Sequence, residues 1–355
     1  MAMNTDSVKR VPLADIEEFG KKVFRASGMS EEDSDIVSEH IALASLRGTD
    51  SHGLVRYLMY SRRVKGGGVI SPTKIEIVKD SGSSLLIDGG NGLGQVVGQK
   101  TMELLVERAK KGGVAIASIR NSNHLGALAP YTIYAAKHGC IGLITTNASP
   151  RMAPTNGSQA MLGNNPWSIA TPGADGPVVM DLANSVAALG KVRLLKARGE
   201  LLPEGWARDN EGLPTRDPQA AITGLLEPIA GYKGYVMALM IELLTGTLSG
   251  GVPSTGVGPL TDASRAGLTS HFFLAISIEH LMPEAEFISN ADKLTSDIRN
   301  SRLAKGSTEI LIPGDIENRI EKERRSEGIP LTDELLDALK TAGNEFNIPL
   351  PAWMN

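Results

Sequence analysis

SSLLIDGGNGLGQVVG, residues 83–98, reads as a strand that runs into a glycine turn and out into a helix. Two kinds of protein share that texture. In a doubly wound dinucleotide fold the glycines let a pyrophosphate approach a helix N-terminus. In other α/β proteins glycines let backbone pack close to backbone. Spacing favours the second. Gly92, Gly94 and Gly98 give G-x-G-x-x-x-G, one residue longer than the fingerprint G-x-G-x-x-G. The next strand, VAIASI, ends in Arg120 and Asn121, where the fingerprint wants an acid for a ribose hydroxyl. Spacing therefore favours helix packing, with a dinucleotide site as the weaker alternative.

Upstream the chain is helical. LADIEEFGKKVFRA (13–26) has helical spacing and stops near Gly28. Ser30 and Asp33 form a capping-box pattern for the next helix, which closes on Gly48. Asp50 or Ser51 is placed to cap a third helix, GLVRYLMYSRRVKGGG (53–68). Downstream the texture changes. TKIEIVKD alternates, GQVVGQKTMELLVERAKKGG (94–113) is amphipathic, and VAIASIRNS, IGLITTNAS and GPVVMDLAN are short apolar runs ending in polar residues. GYKGYVMALMIELLTGTLSGG (231–251) predicts a long apolar helix, HFFLAISIEHLM (271–282) a strand, and the tail a polar helical segment. This divides the chain into a helical segment 1–72, a mixed α/β region 73–311, and a helical segment 312–355 expected to pack back on the first.

The chain has 355 residues, 41% hydrophobic and 21% charged, the balance of a globular protein. A net charge of −4 offers no general basic field for nucleic acid or an anionic membrane. The pair Arg324–Arg325 sits among acids, as on a solvated helix face. The single cysteine, Cys140, excludes an internal disulfide and precedes an apolar run, so it reads as core. The N-terminal MAMNTDSVKRVPLADIEEFG lacks a secretory apolar region, and no apolar run reaches the roughly 18 residues of a membrane helix. A soluble cytoplasmic protein, with neither nucleic acid nor membrane as partner, is expected.

Two of six histidines stand out. In TDSHGLVRY (49–57), His52 and Arg56 are four residues apart, and Tyr60 follows four later. On a helix starting near His52 they share one face. Guanidinium suits a carboxylate and imidazole exchanges a proton near neutrality. The alternative is a packing histidine beside a surface arginine. In NSNHLG (121–126), His124 directly follows a buried strand, a common place for ligand contacts in α/β proteins. It too can be structural. His40, His138, His271 and His280 have no partner at ligand spacing, and no metal pattern such as H-E-x-x-H occurs, so no metal is expected.

RGTDSHGLVRY (47–57), SNHLGALAPY (122–131), TTNASPRMAPTNG (145–157), LGNNPWSIATP (162–172), VVMDLANSVAALGKV (178–192), LPEGWARDNEGLPTRDP (202–218), GYKGYVMALMIELL (231–244) and IPGDIE (312–317) together resemble the malate/L-lactate dehydrogenase family that lies outside the Rossmann lactate dehydrogenases. That family also holds ureidoglycolate, sulfolactate and diketogulonate oxidoreductases and cyclic-imine reductases. The likeness runs through nearly the whole chain. It implies a non-Rossmann α/β fold, whose nicotinamide-binding sheet is mixed and largely antiparallel. It also implies a helical domain built from both terminal segments, a homodimer, and NAD or NADP as cofactor.

By matching motif, the resemblance makes His124 the acid/base residue of one group of members and His52 that of another. Arg56 and Tyr60, with Ser51 and Asn147, fall on the substrate side. Asn123, Ser149, Asn164, Asn165, Met180, Asp181, Leu182, Gly190, Lys191, Lys233, Pro313 and Gly314 fall on the cofactor side. The bland readings are surface lysines at 191 and 233 and a helix-capping Asp181. Some cyclic-imine reductases carry a histidine just before the SHG serine; here that residue is Asp50, which disfavours imine chemistry. The implied reaction is hydride transfer between the nicotinamide and C2 of a small 2-hydroxy or 2-oxo acid such as malate or lactate. A cyclic imine carboxylate as substrate and a non-catalytic ligand-binding protein are the alternatives.

Overall fold

The structure is a computed structural model that describes residues 9–354. The first eight residues, on which the reading of a leaderless N-terminus partly rests, lie outside the described residues. The N-terminal layer holds β1 (Lys9–Val11), α1 (Leu13–Ala26), α2 (Glu31–Leu46) and α3 (Tyr57–Lys65). The central sheet region follows with β2 (Glu76–Asp80), β3 (Ser84–Asp88), α4 (Gly94–Gly112), β4 (Val114–Ser122), α5 (Ala129–Lys137), β5 (Cys140–Thr146), β6 (Trp167–Thr171) and β7 (Val178–Leu182). A small lobe contains α6 (Leu189–Ala197), β8 (Ala207–Arg208), β9 (Pro214–Thr215), α7 (Pro218–Thr223) and β10 (Leu225–Leu226). The chain continues through α8 (Tyr232–Glu242), β11 (Thr269–Ser277), α9 (Glu284–Arg299), α10 (Asp315–Glu327), β12 (Ile329–Leu331) and α11 (Asp333–Glu345).

Seven strands form the central sheet in the order β2-β3-β4-β11-β5-β6-β7. Only β3 and β4 run parallel; the other neighbours are antiparallel. Such a sheet is mixed and largely antiparallel. The parallel pair is joined by α4, as a parallel crossover requires. That one βαβ unit is the stretch that resembled a dinucleotide fold. Its glycines face protein. A Cβ on Gly94 would stand 2.3 Å from the Asn123 carbonyl and 2.4 Å from that of His124. One on Gly98 would meet Tyr131 at 2.7 Å. The glycine loop is a packing joint that seats α4 against the chain carrying His124.

Tyr131, Phe273, Ile119, Met102 and Cys140 lie in the core between the sheet, α4 and α5. A second core joins the two ends of the chain. β1 pairs with β12, and Phe19, Phe24 and Tyr57 pack with Leu339, Phe346 and Met354. A third, smaller core lies in the lobe around Met152, Val192, Leu202 and Ala238. Among the described residues, no helix is long and apolar enough to cross a membrane.

Three local expectations need correction, and one helix was missed. Ser30 does cap α2, accepting from the Asp33 N–H at 3.2 Å. The Asp33 carboxylate does not return the bond; its Oδ2 accepts from Ser71 Oγ and from the Thr73 N–H and hydroxyl. Tertiary partners outcompete the box because they tie down the loop entering β2. Neither Asp50 nor Ser51 caps α3. Residues 50–52 and 54–56 form separate 3-10 turns around Gly53, and α3 begins at Tyr57. A Cβ on Gly53 would stand 1.9 Å from Ser45 Oγ, so this turn is wedged against α2. The helical tail is broken by β12, after Gly328 at φ +91. α9 was not singled out by the sequence; none of its residues is buried, so it imposes no clear apolar stripe.

Candidate active site

Two chambers meet at His52. The longer, about 800 Å³, runs from Ser51 and His52 along α5's N-terminus and β7 to Pro313 and Gly314. The smaller, about 420 Å³, holds His52, Arg56, His124, Asn147, Ser149, Gly190 and four arginines in all. Ser51, His52, Gly126, Asn164, Pro166 and Ala188 line both.

His124 is the better fixed of the histidines. Its Nδ1 accepts from the Gly126 N–H at 3.2 Å and lies 2.7 Å from Tyr60 Oη. A backbone N–H can only donate, so in the neutral ring the proton sits on Nε2, the nitrogen left for the chamber. If the ring is protonated, Tyr60 Oη can turn and accept. His52 stacks on His124, ring centroids 5.6 Å apart and planes 14° from parallel, with Nδ1 3.0 Å from Ser51 Oγ. Burial, then the charge of Arg56, pulls His52 down to about 4. Burial, then His52, Arg56 and Arg63, holds His124 well below the usual imidazole range. Two stacked imidazoles facing arginines resist double protonation. Burial and the neighbouring arginines therefore favour the neutral pair.

His52, Arg56 and Tyr60 converge without sharing one regular helical face, because Gly53 interrupts the helix. Arg56 Nε donates to Ser51 O at 2.7 Å, which folds the guanidinium back over the SHG turn. Tyr60 is buried and reaches His124 rather than the chamber wall, so it positions the ring.

Several predicted contacts serve as braces. Asn123 Oδ1 accepts from Arg63 and the Gly267 N–H, and its Nδ2 donates to Asn91 and Gly92. Asn147 Nδ2 donates to Glu242 and Val252 O, and its Oδ1 accepts from the Ser270 N–H. Asn165, fully buried below the cleft, donates to Ala238 O and Glu242 and accepts from the Ala148 N–H. These amides have their hydrogen-bonding groups engaged by protein. Asn164 and Ser149 keep theirs at the chamber surface.

In the long chamber, Met180, Asp181, Leu182, Lys191, Pro313 and Gly314 all line the wall. Asp181 Oδ2 accepts from the N–H groups of Leu128 and Ala129, capping α5 rather than the helix that follows it. Gly314, at φ +94, lets its loop lie against β7; a Cβ there would stand 3.3 Å from Val179 N. Lys233 lies outside both chambers, exposed on the first turn of α8, whose inward face is Gly234, Ala238 and Ile241.

Sequence reasoning missed five residues. Arg47 Nη1 donates to Asn318 and Glu321, while its buried Nη2 has no partner in the long chamber's wall. Arg63 is buried and spends its guanidinium on four carbonyls and Asn123. Arg151 and Arg193 line the small chamber, and Glu242 lies under it. Arg47, Arg151 and Glu242 stand inside quoted motifs, RGTDSHGLVRY, TTNASPRMAPTNG and GYKGYVMALMIELL; Arg63 and Arg193 stand outside them.

An elongated anionic cofactor fits the long chamber on two observations. Arg47 keeps a buried, unpartnered Nη2 there, and Lys191 makes no ion pair to any described residue. Its volume is also within the roughly 300–1,000 Å³ of small-molecule sites. Gly94→Ala separates this reading from a glycine-loop cofactor site. The added Cβ must push the 123–124 backbone, so we expect a lower melting temperature and lost turnover. Cofactor affinity, read by fluorescence titration, should stay within about threefold. A large fall in affinity with full turnover would reverse the assignment of these glycines. Overpacking of this kind costs about 1–3 kcal/mol.

A long chamber for a nucleotide opening into a small cationic one is the arrangement of a dehydrogenase acting on small acids. A model of the malate/L-lactate dehydrogenase family matches residues 11–340. The malate dehydrogenase of Pyrococcus abyssi is 37% identical over 96% of this chain and 95% of its own length. The NAD(+) ureidoglycolate dehydrogenase of Escherichia coli is 30% identical over 88% and 90%. The solved sulfolactate dehydrogenase of Methanocaldococcus jannaschii superposes with a TM-score of 0.88 at 36% identity, covering 96% of this chain and 98% of that one. The chain belongs to the malate/L-lactate dehydrogenase family. It is a 2-hydroxyacid dehydrogenase of that family.

Proposed function

We propose that the chain interconverts a small 2-hydroxy acid and its 2-oxo acid, with NAD or NADP in the long chamber and the acid in the small one. The observation that carries this is the convergence of His124, His52 and Arg56 where the chambers meet. When bound, the nicotinamide takes up or returns the C2 hydride. Arg56 holds the C1 carboxylate through paired hydrogen bonds, which fixes C2 toward the junction. His124 Nε2 faces the C2 oxygen. In oxidation the ring works as its Nδ1–H tautomer, with Tyr60 Oη turned to accept from Nδ1, so that the Nε2 lone pair takes the hydroxyl proton as the C2–H electron pair leaves as hydride; in reduction the imidazolium returns that proton from Nε2. His52 polarises the same oxygen from the junction. Lys191 and Arg47 hold the cofactor phosphates, and Asn164 and Ser149 bound the nicotinamide end.

The test is a spectrophotometric panel of hydroxy acids with NAD and NADP, and with a cyclic imine carboxylate as the contrasting substrate. Oxidation of none of them, with no quenching on nicotinamide titration, would leave a non-catalytic binding protein. Faster reduction of the imine than of any 2-oxo acid would favour the imine reading. The pH profile adds a second check. A lowered histidine pKa means that the neutral, proton-accepting form survives as pH falls. Oxidative kcat/KM should therefore stay flat from about pH 8 through 6.5, where an ordinary histidine would be half protonated. Reductive kcat/KM should rise as pH drops over the same range. A half-fall of the oxidative profile at about pH 6.5 or above would contradict the buried-pair geometry.

The homodimer implied by the resemblance is supported by one surface. Tyr232, Val236, Met240, Leu244 and Leu248 recur every four residues along α8 and its extension, all exposed. Soluble monomers seldom leave a stripe of this length uncovered. Met240→Glu should halve the mass seen in sedimentation; an unchanged mass places the dimer contact elsewhere.

A further inference from the structure

The small chamber holds more positive charge than one carboxylate requires. Arg56, Arg63, Arg151 and Arg193 line it, and among the described residues no aspartate or glutamate does. Arg63 is spent on protein acceptors. The other three are not. Arg56 donates through Nε to Ser51 O and through Nη1 to Met59 Sδ, leaving Nη2 open. Arg151 makes one long bond, Nη1 to Ile222 O at 3.4 Å. Arg193 makes no hydrogen bond or ion pair to any described residue.

Both free arginines are carried on fixed backbone. Arg151 N donates to Leu162 O at 2.7 Å, and Arg151 O accepts from the Leu226 N–H at 2.8 Å. Arg193 rides on α6 beside Val192, which is fully buried in the lobe core. They face the chamber from the lobe, whereas Arg56 faces it from the N-terminal layer. The neighbouring Lys191 points to the other chamber, so α6 divides its cations between the two. Arg193 lies close enough to Arg56 and Arg151 that its charge disfavours protonation of both. Arg151 is half-buried and Arg193 is exposed at the chamber's edge; like charges set this close repel each other and gain from an anionic guest between them.

We propose that Arg151 and Arg193 form a second anion subsite, opposite Arg56, that makes this chain selective for short 2-hydroxy acids bearing a carboxylate or sulfonate at the far end. This rests on the dehydrogenase reading above and names its substrate class. A neutral far end, as in lactate or an ureido acid, leaves both arginines unpaired.

Malate, sulfolactate and lactate are compared with the full-length enzyme and saturating NAD or NADP, for the parent and for Arg151→Met, Arg193→Met and Arg151→Lys. The parent should favour either dianion over lactate by about 100-fold or more in kcat/KM. Each Met variant should lower the dianion-to-lactate ratio by about 10- to 100-fold, the value of a charge-assisted pair. Arg151→Lys should recover part of the loss. The malate and sulfolactate arms show which far-end anion is preferred. Binding of succinate against propionate by calorimetry gives the same comparison for any variant that does not turn over. A parent ratio near one, or ratios and succinate affinity unmoved by the substitutions, overturns the subsite while leaving the dehydrogenase intact. Absence of nicotinamide binding and of turnover with every acid overturns the dehydrogenase reading instead.

Discussion

His124→Ala should reduce turnover by about 10²–10⁴-fold, the usual contribution of a positioned general acid–base. The expectation rests on how the ring is held. Gly126 and Tyr60 both address Nδ1, so Nε2 is committed to the chamber and cannot swing into a protein bond. Among the described residues the His52 ring has one hydrogen-bond partner, the Ser51 hydroxyl, and it stands on a 3-10 turn at the junction. His52→Ala should therefore cost less turnover than His124→Ala. Nicotinamide affinity should be nearly unchanged in His124→Ala, since that residue lines only the small chamber. Near-normal turnover would move the proton to His52. Tyr60→Phe should fall between, because Nδ1 loses its hydroxyl partner but keeps the Gly126 N–H.

Glu242→Ala should be the most destabilising single change near the site. The side chain is buried, 3% exposed, at the end of α8. Its Oε1 accepts from Asn147 Nδ2 at 3.0 Å and the Ser254 N–H at 2.8 Å, and its Oε2 from Asn165 Nδ2 at 2.8 Å. One carboxylate thus ties together the chain after β5, the loop before β6 and the loop after α8. Alanine strands three donors, and a buried unsatisfied donor costs about 1–3 kcal/mol. A loss of several kcal/mol is expected, read as a lower denaturation midpoint. Turnover should fall with it, since the Asn147 and Asn165 loops floor the chamber. Glu242→Gln should be milder but not silent, because its amide N–H₂ must face a donor. An unchanged midpoint in Glu242→Ala would show that the three loops are held by other means.

Much of the architecture was legible because its signals are local. α1 follows a 14-residue helical pattern and ends at the glycine that adopts φ +101. β4, β5, β7 and β11 are apolar runs in the described sheet. Where the reading failed, the deciding contact lay elsewhere in the chain. The α3 start moved because Gly53 is wedged against Ser45. β12 formed because β1, over 300 residues earlier in chain order, supplies its partner. Asp33 left its capping box for Ser71 and Thr73.

The same division holds for the site. Sequence marked TDSHGLVRY and NSNHLG, since imidazole beside guanidinium is an uncommon local pairing with an evident chemistry. It singled out Arg56 but passed over Arg63, seven residues on, which also reaches the chamber lining but spends its guanidinium on buried carbonyls. Nor could it separate Asn164, at the surface of both chambers, from Asn165 beneath them. For GNGLGQVVG, spacing alone argued for packing, and the sheet shows what is packed: the Gly94 backbone against the carbonyls of Asn123 and His124. Local sequence fixes which chemical groups are present and which segments can be helix or strand. Only the tertiary structure decides which of those groups have been spent on protein partners. A free arginine and a satisfied one are the same letter until the distant acceptors are in place.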